Sequence, residues 1–215
     1  MIYTHIIWDF NGTLFDDVEA GILSVNKMLS DRGLKTISDK EAYRRVFKFP
    51  IIDYYKDIGF DFDAEPYEVL APIWVELYNK YSLDSRLHEG AAEMLEYFKR
   101  EGVTQILLSA TELNMLKGQI KYLGIERCFE TVLGLGNIHA YSKRELAVEW
   151  RRKNPEARPL VIGDTEHDFD VARAIDAECV LVCNGHQSRD ILEKYGCKLC
   201  DDLYNVMEWL KSKNR

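Results

Sequence analysis

Two aspartates of this 215-residue chain directly follow short apolar runs. Asp9 comes after residues 5–8 and precedes a Gly-Thr turn, and Asp164 comes after residues 160–163. A carboxylate at a strand end can attack phosphorus and form an aspartyl-phosphate, which divides one difficult displacement into two easier ones. Asp164 and Asp168, four residues apart, suit Mg²⁺ through one direct and one water-mediated contact. Such aspartates could equally cap turns or helices, so the residues alone leave both interpretations open.

Ser109 and Lys143 are two further residues suited to phosphate. Ser109 ends the apolar run 105–108, where its hydroxyl could hold a phosphoryl oxygen or simply cap the next helix. Ser142 and Glu145 form a capping box that places Lys143 in the first turn of a helix. A lysine there opposes the helix dipole at a cost of a few tenths to about 1 kcal/mol. That cost favours a role such as neutralising a phosphate, although a solvent-exposed lysine would lose little.

The elements that position these residues alternate along the chain. Continuous apolar runs, which are typical of strands buried on both faces, end in polar residues at 5–9, 105–109, 160–164 and 180–184. Helical patterns lie between them at Ala92–Arg100, Leu113–Tyr122 and Leu146–Lys153. This order predicts an α/β fold with a doubly wound, Rossmann-like parallel sheet, which binds ligands at the carboxyl ends of its strands.

The segment from 16 to 88 contains amphipathic helical patterns and no convincing buried strand. One helical face carries Val18, Ile22, Val25 and Leu29, and Gly33 is placed to end that helix. Further helices are predicted by a capping box of Ser38 with Glu41 and by Pro50 and Pro66. We predict a smaller helical domain over 16–88 inserted after the first strand, with the core formed by 1–15 and 89–215. The hinges are expected near 15–17 and 87–90.

The composition is that of a folded, acidic protein. Asp plus Glu outnumber Lys plus Arg by 36 to 28, which gives a net charge of −8 and argues against nucleic acid or an anionic membrane as the main partner. No apolar run approaches the roughly eighteen residues of a membrane span. Asp9 also interrupts the N-terminal stretch before it could form a signal-peptide core. We therefore expect a cytoplasmic protein.

The cysteines predict no disulfide framework. They are odd in number and scattered, which is typical of reduced thiols, at Cys128, Cys179, Cys183, Cys197 and Cys200. Cys197 and Cys200 have the C-x₂-C spacing of a zinc site, but no second pair lies at zinc-finger spacing. An edge strand is the favoured interpretation of this pair.

Together the four candidate segments resemble the signature of the haloacid dehalogenase-like (HAD) phosphatase superfamily. Its first motif, Asp-x-Asp-Gly-Thr-Leu, is matched by residues 9–14, and its second, an apolar run ending in Ser or Thr, by residues 106–109. Lys143 matches the third motif, and Gly163-Asp164 with Asp168 matches the fourth, Gly-Asp-x-x-x-Asp. The helical insertion resembles the type-1 cap of phosphoglycolate phosphatase-like members.

This resemblance implies a Mg²⁺-dependent phosphatase acting on a small phosphorylated metabolite. Asp9 would be the nucleophile, Lys143 would offset the charge that Asp9 and phosphate bring together, and Thr13 and Ser109 would contact the phosphoryl group. The implied metal ligands are Asp9, the main-chain carbonyl of Asn11 and Asp164, with Asp168 supporting the metal water. The implied substrate-binding residues are Ser109, Ala110, Lys143, Arg45 and Lys48. A Lys48 reaching into the site would suit a second anionic group, whereas a basic, solvent-facing helix end is the alternative.

Asn11 departs from the family pattern, which has Asp at this position. That Asp protonates the leaving group and then activates water, so its loss typically costs on the order of 10² to 10⁴ in rate. Glu166, His167 or Asp16 could substitute for it. Three functions stay open: a slowed phosphatase, a silent protein that binds a phosphate ester or a partner, and a sugar-phosphate mutase. We expect a monomer or homodimer.

Overall fold

The computed structural model describes residues 2–136 and 143–213. Its strands are β1 (His5–Trp8), β2 (Phe15–Asp16), β3 (Arg86–Leu87), β4 (Thr104–Glu112), β5 (Thr131–Leu135), β6 (Pro159–Gly163), β7 (Glu178–Val182) and β8 (Lys198–Cys200). Its α-helices are α1 (Val18–Asp31), α2 (Lys40–Val46), α3 (Ile51–Asp57), α4 (Tyr67–Tyr81), α5 (Ala91–Arg100), α6 (Leu113–Tyr122), α7 (Lys143–Lys153), α8 (Glu166–Ala174), α9 (Arg189–Leu192) and α10 (Leu203–Lys213).

A six-stranded parallel sheet with the order β5-β4-β1-β6-β7-β8 forms the centre of the protein. Successive residues of β1 point to opposite faces, so Ile6 and Trp8 pack with helices α5, α6 and α10. Ile7 packs on the other face with α7, α8 and α9. Burial on both faces explains the continuous apolar runs. The predicted doubly wound α/β fold is confirmed.

The sequence predicts one edge strand of the sheet but not the other. Strand β8 is an edge strand that contains Cys200, and Cys197 directly precedes it, as predicted. Strand β5 forms the opposite edge, and the sequence does not predict it because it lacks a continuous apolar run. This composition agrees with the half burial of four of its five residues. All five cysteines are free thiols.

Helices α1 to α4 pack around their own apolar cluster, separate from the two clusters of the sheet. Pro50 and Pro66 directly precede α3 and α4, as predicted. The predicted Ser38 capping box is wrong by one residue, because Asp39 is the N-cap and its Oδ1 accepts from the Ala42 N–H at 2.8 Å. The carboxylate is the stronger acceptor, and the Ser38 hydroxyl donates to it.

Strands β2 and β3 lie where the chain enters and leaves the helical segment. They form a two-stranded antiparallel sheet in which Phe15 pairs with Leu87 and Asp16 with Arg86. These positions fall within or beside the predicted hinges, and the division into core and cap at residues 16 and 88 stays a prediction. The predicted capping residue Ser142 lies outside the described residues, although α7 does begin at Lys143. Within 2–136 and 143–213, none of the helices combines the length and apolar character needed to cross a membrane.

Candidate active site

The carboxyl ends of the central strands bring the predicted carboxylates together. Asp9 directly follows β1, Asp164 follows β6, and Asp168 lies in the first turn of α8. Each has a carboxylate oxygen within 4.8 Å of one on the other two, and all three residues are buried. The sheet topology therefore assembles one acidic centre from two separate parts of the sequence.

Lys143 lies at the middle of this acidic centre. Its Nζ donates to Asp9 Oδ1 at 2.7 Å and to Asp168 Oδ1 at 2.5 Å, with only 4 % of its side chain exposed. Burial alone would lower the pKa of Lys143, but the charges of Asp168 and Asp9 outweigh burial and raise it. The ammonium therefore keeps its charge beside the candidate nucleophile.

The two oxygens of Asp9 have different surroundings. Oδ1 accepts from Lys143, whereas Oδ2 is buried and has no hydrogen-bond partner among the described residues. Burial raises the pKa of Asp9 well above its usual value, even though Lys143 opposes that shift. A buried carboxylate oxygen without a partner is costly unless a ligand or ion contacts it.

Asp168 is held by main-chain and side-chain donors on both of its oxygens. Oδ1 accepts from Lys143, and Oδ2 accepts from the Thr165 N–H at 3.0 Å, the Thr165 hydroxyl at 2.8 Å and the Asp164 N–H at 3.2 Å. Although burial would raise the pKa of Asp168, Lys143 lowers it. A Cβ at Gly163 would lie 2.1 Å from Asp168 Cγ, which is why glycine precedes Asp164.

Asp164 is oriented by the first motif and by the loop after β7. Its Oδ1 accepts from the Thr13 hydroxyl at 3.1 Å, and its Oδ2 accepts from the His186 N–H at 2.6 Å. Burial raises the pKa of Asp164 to about 6. Thr13 is completely buried and is not among the residues that line the cavity, so its predicted contact with a phosphoryl group stays a prediction.

Asn11 uses both ends of its amide in hydrogen bonds. Nδ2 donates to Asp17 Oδ2 and to the Tyr78 hydroxyl, both at 2.8 Å. Oδ1 accepts from the Thr111 hydroxyl at 2.7 Å and from the Ser109 hydroxyl at 3.2 Å. The amide is therefore fixed in orientation, and it has no proton that it can transfer.

A buried ion pair of Asp17 and His186 lies behind Asn11, and sequence reasoning assigned it no role. Asp17 Oδ1 is 3.2 Å from His186 Nε2 and accepts from the Gly12 N–H at 2.8 Å, while the Tyr43 hydroxyl is 2.9 Å from His186 Nδ1. Burial opposes the charge of each partner, but their interaction raises the pKa of His186 to about 9 and lowers that of Asp17. Asp17 lies in the predicted hinge. Its pairing with His186 is visible only in the structure.

Of the three suggested substitutes for the missing Asp, only His167 lines the cavity. Burial lowers its pKa to about 4, which keeps the ring neutral. Glu166 instead accepts from the Phe49 N–H and from the Tyr195 hydroxyl. Asp16 is exposed and lies outside the cavity lining.

The structure does not bring the cap residues Lys48 and Arg45 to the site. Lys48 pairs with Asp57 at 2.5 Å, Arg45 is exposed, and neither lines the cavity. Arg44 contacts the core instead, because its guanidinium donates to the carbonyls of Gly185 at 2.8 Å and Asn184 at 2.6 Å. The helical segment thus contacts the loop after β7 through a cation bound to backbone oxygens.

A cavity of about 220 Å³ opens above these residues. The lining includes six of the predicted residues, Asp9, Asn11, Ser109, Ala110, Lys143 and Asp164. The opposite wall comes from the helical segment and is aromatic, with Tyr43, Phe47, Phe49, Tyr54, Tyr55, Tyr67, Trp74 and Tyr78.

Known proteins resemble this chain along most of its length. The sequence profile of the haloacid dehalogenase-like hydrolases matches residues 6–182. A phosphoglycolate phosphatase from Pseudomonas fluorescens is 23% identical over 92% of this chain and 76% of its own. One from Colwellia psychrerythraea is 24% identical over 94% of both chains. A solved haloacid dehalogenase-like hydrolase from Streptococcus pneumoniae superimposes with a TM-score of 0.82 at 17% identity, covering 97% of this chain and 98% of its own.

The profile match spans the first, second, third and fourth motifs, and the structural match covers nearly the whole chain. The profile match and the phosphoglycolate phosphatase relatives confirm the predicted enzyme class, a phosphoric monoester hydrolase of the HAD type. The chain belongs to the haloacid dehalogenase-like hydrolase family.

Proposed function

We propose that this protein is a Mg²⁺-dependent phosphatase that hydrolyses a small phosphate monoester through an aspartyl-phosphate on Asp9. The observation that supports the proposal is the asymmetry of Asp9. One oxygen is held by Lys143 at 2.7 Å, and the other is buried, has no described partner and belongs to a residue that lines the cavity. A carboxylate oxygen that no protein donor holds is free to act as the nucleophile toward phosphorus.

The donor set fits a magnesium ion. Mg²⁺ prefers carboxylate oxygens together with waters and phosphate oxygens, and Asp9, Asp164 and Asp168 offer carboxylates within 4.8 Å of one another. Asp9 and Asp164 would be direct ligands with the carbonyl of Asn11. Asp168 would orient the site, because its Oδ1 accepts from the Lys143 ammonium and its Oδ2 already accepts three hydrogen bonds. When bound, the ion would polarise the phosphoryl oxygens and offset the carboxylate charge.

The first chemical step would form a bond between Asp9 Oδ2 and phosphorus as the bond from phosphorus to the ester oxygen breaks. Lys143 would reduce the repulsion between Asp9 and the phosphoryl group, and the Ser109 hydroxyl would bind a phosphoryl oxygen. Water would then attack phosphorus, return the bonding electrons to Asp9 and release phosphate. Asn11, whose two amide hydrogens go to Asp17 and Tyr78, supplies no proton to the leaving group and no base for water.

The fixed amide of Asn11 also supports a second candidate, a protein that binds phosphate esters with little turnover. The sugar-phosphate mutase has no such support, because its reaction needs an acid and base at position 11 as well. Formation of phosphoenzyme separates the two candidates that remain, since a silent binder would not form the covalent bond.

The test measures phosphate release from acetyl phosphate, whose leaving group needs no protonation, with and without Mg²⁺. We expect Mg²⁺-dependent release that Asp9→Asn abolishes while the fold, followed by circular dichroism, is unchanged. Asp31→Asn is the matched control, because Asp31 is an exposed aspartate at the end of α1. Equal release by Asp9→Asn and wild type would contradict covalent catalysis at Asp9.

A further inference from the structure

The wall of the cavity that faces the acidic centre is aromatic and carries no basic side chain. Eight aromatic residues between 43 and 78 line it, and none of the described lining residues from this segment is Lys or Arg. The described basic residues nearby are engaged elsewhere, since Arg32 pairs with Glu65 and Arg44 with backbone carbonyls. A carboxylate on the substrate would therefore meet rings instead of a cation.

The cationic groups that do line the cavity already have partners. Lys143 contacts Asp9 and Asp168, and His186 contacts Asp17. Glu112, which also lines the cavity, adds a further negative charge. Transferring an unpaired carboxylate from water to such a site is unfavourable, so an anionic leaving group is disfavoured.

Two buried polar atoms of cavity-lining residues lack partners, one on the helical segment and one on α8, and they indicate what the leaving group can offer. The Tyr54 hydroxyl and His167 Nδ1 are buried without a hydrogen-bond partner among the described residues, and both residues line the cavity. Buried polar atoms are normally satisfied. A ligand with uncharged hydrogen-bonding atoms would satisfy them where an alkyl chain would not.

The size of the cavity also exceeds the needs of a phosphoryl group. Roughly 10–15 Å³ of such space holds one water, so about 220 Å³ holds on the order of fifteen water-sized groups. Trp74 and Tyr78 already stack with centroids 4.7 Å apart, and Phe49 lies 4.8 Å from the His167 ring. Rings this close leave no room for a third ring between them, so a planar group would pack against the ring surfaces that line the cavity.

We propose that the substrate is a phosphate monoester whose leaving group is an uncharged aromatic ring bearing hydrogen-bonding atoms, and not a carboxylate such as that of phosphoglycolate. This inference deepens the proposed function and rests on it for the position of the phosphoryl group. The ring would lie against Trp74 and the neighbouring tyrosines, and the phosphoryl group would lie at Asp9.

The first experiment measures binding, so that it does not depend on turnover. Benzylphosphonate and phosphonoacetate resist hydrolysis and carry a ring or a carboxylate next to the same phosphonate group. With Mg²⁺ present, calorimetry should show at least tenfold tighter binding of benzylphosphonate, equivalent to about 1.4 kcal/mol. Equal affinity, or tighter binding of phosphonoacetate, would overturn the inference.

Variants of α4 locate the binding surface. Trp74→Ala should weaken benzylphosphonate about tenfold and leave phosphonoacetate unchanged, because only the ring contacts the indole. Val69→Ala is the matched control on the same helix, since Val69 is 50% exposed and does not line the cavity. If Trp74→Ala fails to fold, Val75→Lys serves instead, because Val75 lines the cavity and a lysine there should reverse the preference toward phosphonoacetate.

Turnover separates this inference from the proposed function. Hydrolysis of acetyl phosphate together with a higher kcat/KM for benzyl phosphate than for phosphoglycolate supports both. Hydrolysis of acetyl phosphate with a preference for phosphoglycolate overturns the inference and leaves the phosphatase intact. Absence of all hydrolysis contradicts the proposed function, and the phosphonate affinities then decide the ligand class alone.

Discussion

The contacts of Asn11 predict that restoring the family's aspartate there will not be enough to restore acid–base catalysis. Asn11 Nδ2 donates to Asp17 Oδ2 at 2.8 Å, so Asn11→Asp would place two carboxylates at that distance. Two unit charges 2.8 Å apart repel by about 6 kcal/mol at an effective dielectric constant of about 20. One of the two carboxyls must therefore carry a proton at neutral pH.

In Asn11→Asp alone, the new carboxyl would therefore carry a proton and act as an acid, but it would not serve as a base for water. We expect Asn11→Asp to speed the first step with esters of ordinary alcohols but to hydrolyse the aspartyl-phosphate slowly. Exchanging the two residues, as Asn11→Asp with Asp17→Asn, restores a donor opposite the new carboxylate. The exchanged variant should gain on the order of 10² to 10⁴ in steady-state turnover, which is the usual contribution of a positioned acid and base.

The assay is rapid-quench kinetics with 4-nitrophenyl phosphate, whose leaving group is acidic. Wild type should release a burst of nitrophenolate approaching one equivalent per site and then turn over slowly. The exchanged variant should show no burst. Tyr78→Phe is the control for disturbance of the network, because the Tyr78 hydroxyl donates to Asp17 at 2.6 Å without being an acid–base candidate. An exchanged variant no faster than wild type, with no burst in either, would refute this reasoning.

Three other predictions concern stability and metal content. The folded protein raises the pKa of His186 from 6.5 to about 9, so the ion pair with Asp17 stabilises the fold fully below about pH 6.5. In urea titrations, the free energy of unfolding of wild type should exceed that of His186→Gln at low pH, and the difference should disappear as pH rises through 9. Gly185→Ala should lower the free energy of unfolding by about 1–3 kcal/mol and weaken Mg²⁺ binding, since its Cβ would lie 2.2 Å from Asp164 Oδ2. Gly118→Ala is the control, because its Cβ would meet open space and the change should stabilise α6 by about 0.5–1 kcal/mol. Cys197→Ser with Cys200→Ser should leave activity and metal content unchanged, and stoichiometric zinc in the wild type, measured by mass spectrometry, would contradict this.

Local patterns in the sequence predict the parts of this fold that depend on local interactions. The apolar run before Asp9 and the boundaries of α6 at Leu113 and Tyr122 agree with the structure, because burial on both faces and helix termination are encoded within a few residues. Strand β5 is stabilised mainly by its pairing with β4, so its own composition does not reveal it. The shift from Ser38 to Asp39 at α2 reflects a competition between adjacent caps that spacing alone does not resolve.

In the candidate site, too, the sequence predicts the residues with local signals and misses those that depend on distant packing. The motifs identify Asp9, Lys143, Asp164 and Asp168, because each stands at a strand end or in a first helical turn. The contacts of Lys48 depend on how α2 and α3 pack, and the sequence does not contain that information in any local form. Pairing with Asp57 holds this lysine outside the cavity, so its charge is no guide to the substrate.

The ion pair of Asp17 and His186 joins parts of the chain 169 residues apart, and it explains how the helical segment could influence catalysis. The Tyr78 hydroxyl donates to Asp17 at 2.6 Å, and the Tyr43 hydroxyl lies 2.9 Å from His186. Both tyrosines also line the cavity. A ligand that moves either ring therefore acts on the ion pair, and through Asp17 on the orientation of Asn11. If the leaving group binds as proposed, its recognition and the positioning of the Asn11 amide would depend on the same side chains.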